Sequence, residues 1–194
     1  MKPSQSHIHT IRNLRYHVRT WGDPRATKML LLHGWMDVSA SFQFFTDALK
    51  HDWHLLAPDW RGYGLSQWSG TDTYWFQDFI GDLDKLLAHF QPDAPVRLLG
   101  HSMGGSVASM YAGIRPNRVS WLINVDALGL PEATAEDTPA QYGKWLAWLR
   151  HKPAFRPYAS FEALAERLRR KHPRLSPERA AFLSRHWGRA TAAG

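Results

Sequence analysis

The sequence contains no cysteine. Disulfides, thiolate metal sites and cysteine nucleophiles are therefore excluded. Long apolar runs are missing as well: a stretch such as Met29 to Leu32 falls far short of the roughly 20 residues that a bilayer-crossing helix needs. The opening residues, Met1-Lys2-Pro3-Ser4-Gln5-Ser6-His7, lead into polar sequence without the apolar centre of a secretory signal. No membrane partner is expected, and a cytoplasmic location is the default. There is no internal repeat and no low-complexity segment.

Aromatics, by contrast, are plentiful. Among 194 residues there are ten Trp and nine Phe, which points to a large aromatic core or an aromatic-lined pocket. A chain of this length buries one substantial core, or one core with a small appendage. The net charge of +7 is uneven. Residues 1–130 carry 12 Lys and Arg against 11 Asp and Glu; residues 131–194 carry 12 against 6. The basic residues of the second part alternate with apolar positions at helical spacing, as on a solvated helix face. Nucleic-acid binding through that region rests on composition alone, and no nucleic-acid partner is expected.

Periodicity gives the architecture. His7–Ile11 and Leu14–Gly22 alternate and flank Arg12-Asn13, the pattern of an antiparallel hairpin. Lys28–Leu32, Trp53–Pro58, Val96–Leu99 and Val119–Val125 are short apolar runs suited to strands buried on both faces. Helical stripes lie between them, at Phe42, Phe45 and Leu49, at Phe76 to Phe90, and at Val107, Met110, Tyr111 and Ile114. The order strand, helix, strand, helix predicts an α/β fold, a mostly parallel, doubly wound sheet covered on both sides. After Gly129-Leu130-Pro131 the pattern becomes wholly helical. Starts are expected at Thr138-Pro139, Ser160 and Ser176-Pro177. Residues 1–130 thus read as the core and 131–194 as a helical lid.

The motif with chemistry in it is Gly100-His101-Ser102-Met103-Gly104, followed by Gly105. It stands between the strand Val96–Leu99 and the helix bearing Val107, the context that a G-x-S-x-G nucleophile elbow requires. The turn has no room for side chains at Gly100 and Gly104, and it thrusts Ser102 out above the strand ends. The helix that starts at Met103 points N–H groups and its positive end at developing negative charge. His33-Gly34-Trp35 follows Lys28–Leu32, where an oxyanion loop would lie. The backbone N–H groups of Trp35 and Met103 are the expected oxyanion donors. The His33 side chain is expected to be structural, hydrogen-bonded beneath the loop. A further motif, Asp59-Trp60-Arg61-Gly62-Tyr63-Gly64-Leu65-Ser66, follows Trp53–Pro58.

His33-Gly34, Asp59-x-Arg61-Gly62-x-Gly64-x-Ser66 and Gly100-His101-Ser102-Met103-Gly104-Gly105, in that order, resemble the α/β-hydrolase superfamily in its esterase, lipase and carbon–carbon-bond hydrolase branch. The resemblance runs from about Lys28 to Val125. It implies Ser102 as nucleophile, Trp35 and Met103 as oxyanion donors, 131–194 as the start of a cap, and 59–66 as a structural loop. Serine at the elbow, where dehalogenases and epoxide hydrolases of the superfamily carry aspartate, favours acyl transfer through a covalent acyl-enzyme. The substrate expected is a small or medium apolar ester, or a related acyl or carbon–carbon compound. Neither cofactor nor metal is expected.

The resemblance also implies an acid and then a histidine beyond the nucleophile, each after a further strand. Neither strand is present. His151, His172 and His186 all fall in helical sequence and are expected to be surface or helix-packing residues; His101 adjoins Ser102, but the turn directs it away. Asp126 ends Val119–Val125 at strand-end level and is a candidate acid, against the plainer reading of a turn-forming aspartate. Val119–Val125 would form an exposed apolar edge. The expectation is therefore a fragment, a truncated product or one half of an assembly, with a complementing segment supplying the last strands and the histidine. The alternative is a catalytically impaired or non-enzymatic ligand-binding protein on the same fold.

Overall fold

Along Met29-Leu30-Leu31-Leu32 every side chain is buried, and alternate ones enter two different cores. Leu30 and Leu32 join one apolar cluster, Met29 and Leu31 the other. A strand's side chains alternate between faces, so this segment is a central strand with a packed layer on each side. Leu56 and Leu98 repeat the choice of Leu30, while Leu55, Ala57 and Leu99 repeat that of Leu31.

The computed structural model describes residues 1–71, 73–127, 134–150 and 157–190. Six strands form one sheet: β1 (Ser4–Ile11), β2 (Leu14–Trp21), β3 (Lys28–Leu32), β4 (His54–Pro58), β5 (Val96–His101) and β6 (Val119–Val125), in the order β1-β2-β4-β3-β5-β6. β1 and β2 are an antiparallel hairpin whose turn residues Arg12 and Asn13 both have positive φ, 46° and 64°. That is the primed-turn geometry that matches the twist of the paired strands. β2 joins β4 antiparallel, and β4, β3, β5 and β6 run parallel. The α/β sheet read from periodicity is present, and β5 extends two residues past its apolar run to reach His101.

Helix α1 (Gln43–Ala48) follows a 3-10 turn at Ser39–Phe42. Helix α2 (Phe76–Phe90) lays Phe79, Leu83, Leu86 and Leu87 into the first cluster. Helix α3 (Met103–Ile114) adds Val107, Ala108 and Tyr111. On the other face Phe42, Phe45, Leu49 and Trp53 gather around Trp21 and Leu31. β6 pairs only with β5 among the described residues, and it leaves Trp121 and Val125 exposed.

Among the described residues three helices follow: α4 (Thr138–Leu149), α5 (Phe161–Lys171) and α6 (Pro177–Trp187). The Ser160 and Ser176 side chains accept from the N–H groups of Ala163 and Arg179, so two of the expected caps are formed. The third differs. Thr138 is the first residue of α4, but the capping box is one turn earlier, between Thr134 and Asp137 around a 3-10 turn. The acid at Asp137 completes the reciprocal bonds that Gln141 would have had to supply. α5 and α6 pack on each other through Leu168, Ala180 and Ser184. α6 reaches the sheet layer where Phe182 meets Phe44 and Trp187 Nε1 donates to Ser41 Oγ at 2.9 Å. α4 buries no residue, and its Trp145 lies 5.7 Å from Trp75, ring to ring. The boundary at residue 130, His151 and the last four residues of the chain lie outside the described residues.

Candidate active site

Ser102 connects β5 to α3 with φ 49° and ψ −119°. Such a conformation costs a non-glycine residue about 1–3 kcal/mol and persists only where the surroundings enforce it. Here the enforcement is visible. A Cβ on Gly100 would stand 2.5 Å from the Gly104 carbonyl oxygen and from the Gly105 Cα. On Gly104 it would enter the carbonyl of Leu32. Strand, turn and helix therefore touch backbone to backbone. The Ser102 N–H donates to the Val125 carbonyl at 3.0 Å, and its own carbonyl accepts from Ser106 N–H at 3.0 Å. β6 thus holds the turn from one side while α3 begins on the other. The serine side is left half-buried, at the carboxyl ends of the parallel strands.

The loop after β3 closes over the same point. A Cβ on Gly34 would lie 3.2 Å from Ser102 Cβ and 3.1 Å from His101 Nδ1, so nothing larger than glycine fits without displacement. His101 therefore faces Gly34, and Ser102 Oγ has no histidine partner among the described residues. Next, Trp35 is 64% exposed with its ring 5.8 Å from Tyr63, and Met36 takes a positive φ of 54°. Met103 opens α3, so its N–H is a first-turn donor with no acceptor inside the helix.

His33 is fully buried and fixes this loop from beneath. Its Nδ1–H donates to the Gly34 carbonyl at 2.8 Å, and its Nε2 accepts from Trp60 N–H at 2.9 Å. Both ring nitrogens are committed, and burial lowers the imidazole pKa, so the ring is neutral. Trp60 Nε1 returns a bond to the His33 carbonyl at 3.0 Å.

The loop 59–66 is held by two buried polar groups. The Asp59 carboxylate accepts from Ser39 N–H (2.6 Å), Leu65 N–H (2.9 Å) and His17 Nδ1 (2.8 Å). Burial alone would raise its pKa; the bond from His17, the adjacent His33 and His17 rings and the Leu65 N–H outweigh that and hold it at about 2. Arg61 grips Asp82 of α2 with Nε at 2.5 Å and a terminal nitrogen at 2.6 Å, while the buried Tyr16 hydroxyl donates to the same carboxylate. These bonds tie β2, the loop and α2 together. His17 and Asp82 gave no signal in the sequence: each sits at an ordinary position of a strand or helix stripe, and only the crossing of elements pairs them.

Asp126 follows β6 with φ 54°, one residue beyond the carbonyl that holds Ser102, and is exposed. Of the remaining histidines, His172 caps α5 at the surface. His186 packs on Phe182, and its pKa is lowered by burial and by Arg19. No helix among the described residues is long and apolar enough to cross a membrane.

The family model for the alpha/beta hydrolase fold matches residues 28–187, and the chain belongs to that family. A serine hydrolase-like protein of Danio rerio is 28% identical over 172 residues, covering 85% of this chain and 52% of its own length. A human serine hydrolase-like protein is 33% identical over 109 residues, covering 56% of this chain and 53% of its own. The chain thus spans about half the length of these curated relatives. Among solved structures, the thioesterase domain from the curacin biosynthetic pathway superposes with a TM-score of 0.86 at 25% identity, over 99% of this chain and 68% of that one.

Proposed function

We propose that the chain carries the nucleophilic half of a serine hydrolase that cleaves a small or medium apolar ester, or a related acyl or carbon–carbon substrate, through a covalent acyl-enzyme. The observation that carries this reading is the enforced backbone of Ser102, φ 49°, packed against Gly34 at the strand ends. Similarity to proteins described as serine hydrolase-like, and to a thioesterase domain, supports it.

In this reading Ser102 Oγ attacks the acyl carbon, and the N–H groups of Trp35 and Met103 hold the resulting oxyanion. A serine hydroxyl is a weak nucleophile unless an imidazole accepts its proton. Its histidine comes from a complementing segment that also pairs with β6; Asp126 is the candidate acid. Residues 131–194 act as the lid, and the exposed Trp35, next to Gly34 in the loop over Ser102, supplies apolar contact for the acyl group.

A fluorophosphonate probe tests the nucleophile. Labelling of the protein with the complementing segment supplied, lost in Ser102→Ala, is the expected result; equal labelling of both removes Ser102 from the role. The second reading, a ligand-binding protein without turnover, draws on the lack of a histidine at Ser102 Oγ among the described residues. Tight binding of an apolar ester with no hydrolysis, even with the complementing segment supplied, would favour it.

A further inference from the structure

Far from Ser102, the free β1 edge of the sheet carries imidazoles with no part in that chemistry. His7 and His9 are two apart on β1 and therefore share a face. His9 is opposite Tyr16 in the register, and Tyr16 directs its hydroxyl to Asp82 of α2, so this is the face that α2 covers. In the last turn of α2, His89 meets His9: Nε2 of His89 and Nδ1 of His9 are 3.0 Å apart. The rings stand 4.9 Å apart, and the Phe90 ring packs edge-on against both. His7 follows, with its ring 6.2 Å from that of His9.

Two nitrogens bound to one cation at about 2.05 Å stand about 3.3 Å apart at a tetrahedral angle and about 2.9 Å apart at a right angle. The observed 3.0 Å falls between them. The pair is thus close enough for either geometry once the rings turn from their mutual hydrogen bond. Neutral imidazole suits zinc, copper and nickel alike.

We propose that His9 and His89 form a chelating surface site for a divalent transition-metal cation, with His7 as the adjacent third ligand. The sequence alone assigns no metal. Among the described residues no three His, Asp or Glu already surround one point. His7 must therefore change rotamer, and water fills what remains. On binding, this hydrogen bond breaks, its proton moves to the far nitrogen of the same ring, and both rings turn so that their lone pairs converge on the cation. The metal joins residues 80 apart in sequence and clamps the edge strand to α2.

The test is calorimetric titration of tag-free protein with Cu²⁺ and with Zn²⁺ at neutral pH, alongside thermal melts with and without metal. One saturable site and a metal-dependent rise in Tm are expected. His9→Gln and His89→Gln each weaken binding by roughly ten- to a hundredfold, because a chelate becomes a single ligand, and both remove the metal-dependent rise. His7→Gln weakens it less, and His51→Gln, at an exposed position outside the cluster, leaves it unchanged. Circular dichroism of the metal-free variants establishes that they fold. Absence of saturable binding, unchanged affinity in the His9 and His89 variants, or equal loss in His51→Gln overturns the proposal.

Discussion

Gly34 and Ser102 are packed so closely that a Cβ on the first would lie 3.2 Å from the Cβ of the second. Two segments 68 positions apart in the chain meet there because β3 and β5 are parallel neighbours whose ends coincide, Leu32 opposite Gly100. Gly34→Ala must push aside either His101 or Ser102. The fold should survive with a loss of about 1–3 kcal/mol, typical of overpacking. With the complementing segment supplied, fluorophosphonate labelling of Ser102 should slow by more than the stability loss accounts for. Labelling at the original rate would show that the loop does not position the serine.

Ser102→Gly should stabilise the chain. Glycine adopts φ 49° without the strain that serine bears, which outweighs its greater freedom when unfolded. A gain of about 1 kcal/mol in urea unfolding, with labelling abolished, is expected. A destabilised Ser102→Gly would mean that the turn is not held in this conformation.

Asp82 is fully buried and receives bonds from Arg61, Arg12 and Tyr16. Asp82→Asn leaves the buried Arg61 guanidinium with only the partly exposed Asp78 as counter-charge and should cost about 3 kcal/mol. Pairing Asp82→Leu with Arg61→Met should recover much of the loss, since no buried charge then remains unpaired. Denaturant midpoints of the single and double variants measure both. A double variant worse than the sum of its singles would contradict this.

Acid should weaken the fold in two stages. Burial lowers the pKa of His33, His9, His54 and His186 below the unfolded value of 6.5. The unfolded chain then binds more protons, so stability that is complete above pH 6.5 falls as pH drops through the folded values. Asp59 acts lower: its contribution is whole above 3.8 and disappears as pH falls towards about 2. Urea midpoints should therefore decline already below pH 6.5, and His33→Gln should flatten that first decline. A midpoint constant down to the carboxylate range would refute the assignment.

The core layers were legible because a strand's period of two and a helix's period of 3.6 write burial directly into the chain. Met29 to Leu32 and the stripe from Phe76 to Phe90 are examples. The elbow was legible for a local reason: Gly100 and Gly104 are needed by contacts within one strand–turn–helix unit. The start of α4 at Thr138-Pro139 was legible too, but its capping box lies one turn earlier, since Asp137 and Gln141 offer competing caps and only the folded backbone chooses.

By itself, then, the sequence determined the alternation of elements, the candidate nucleophile and the chemistry that lack of cysteine rules out. All of these depend on neighbours within a few residues. Tertiary structure alone decided that His17 pairs with Asp59, that Arg61 and Tyr16 converge on Asp82, and that His9 faces His89. Each of those contacts joins residues between 21 and 80 positions apart. No local pattern encodes such a pairing, because it follows from the order in which strands enter the sheet and the helix that crosses above them.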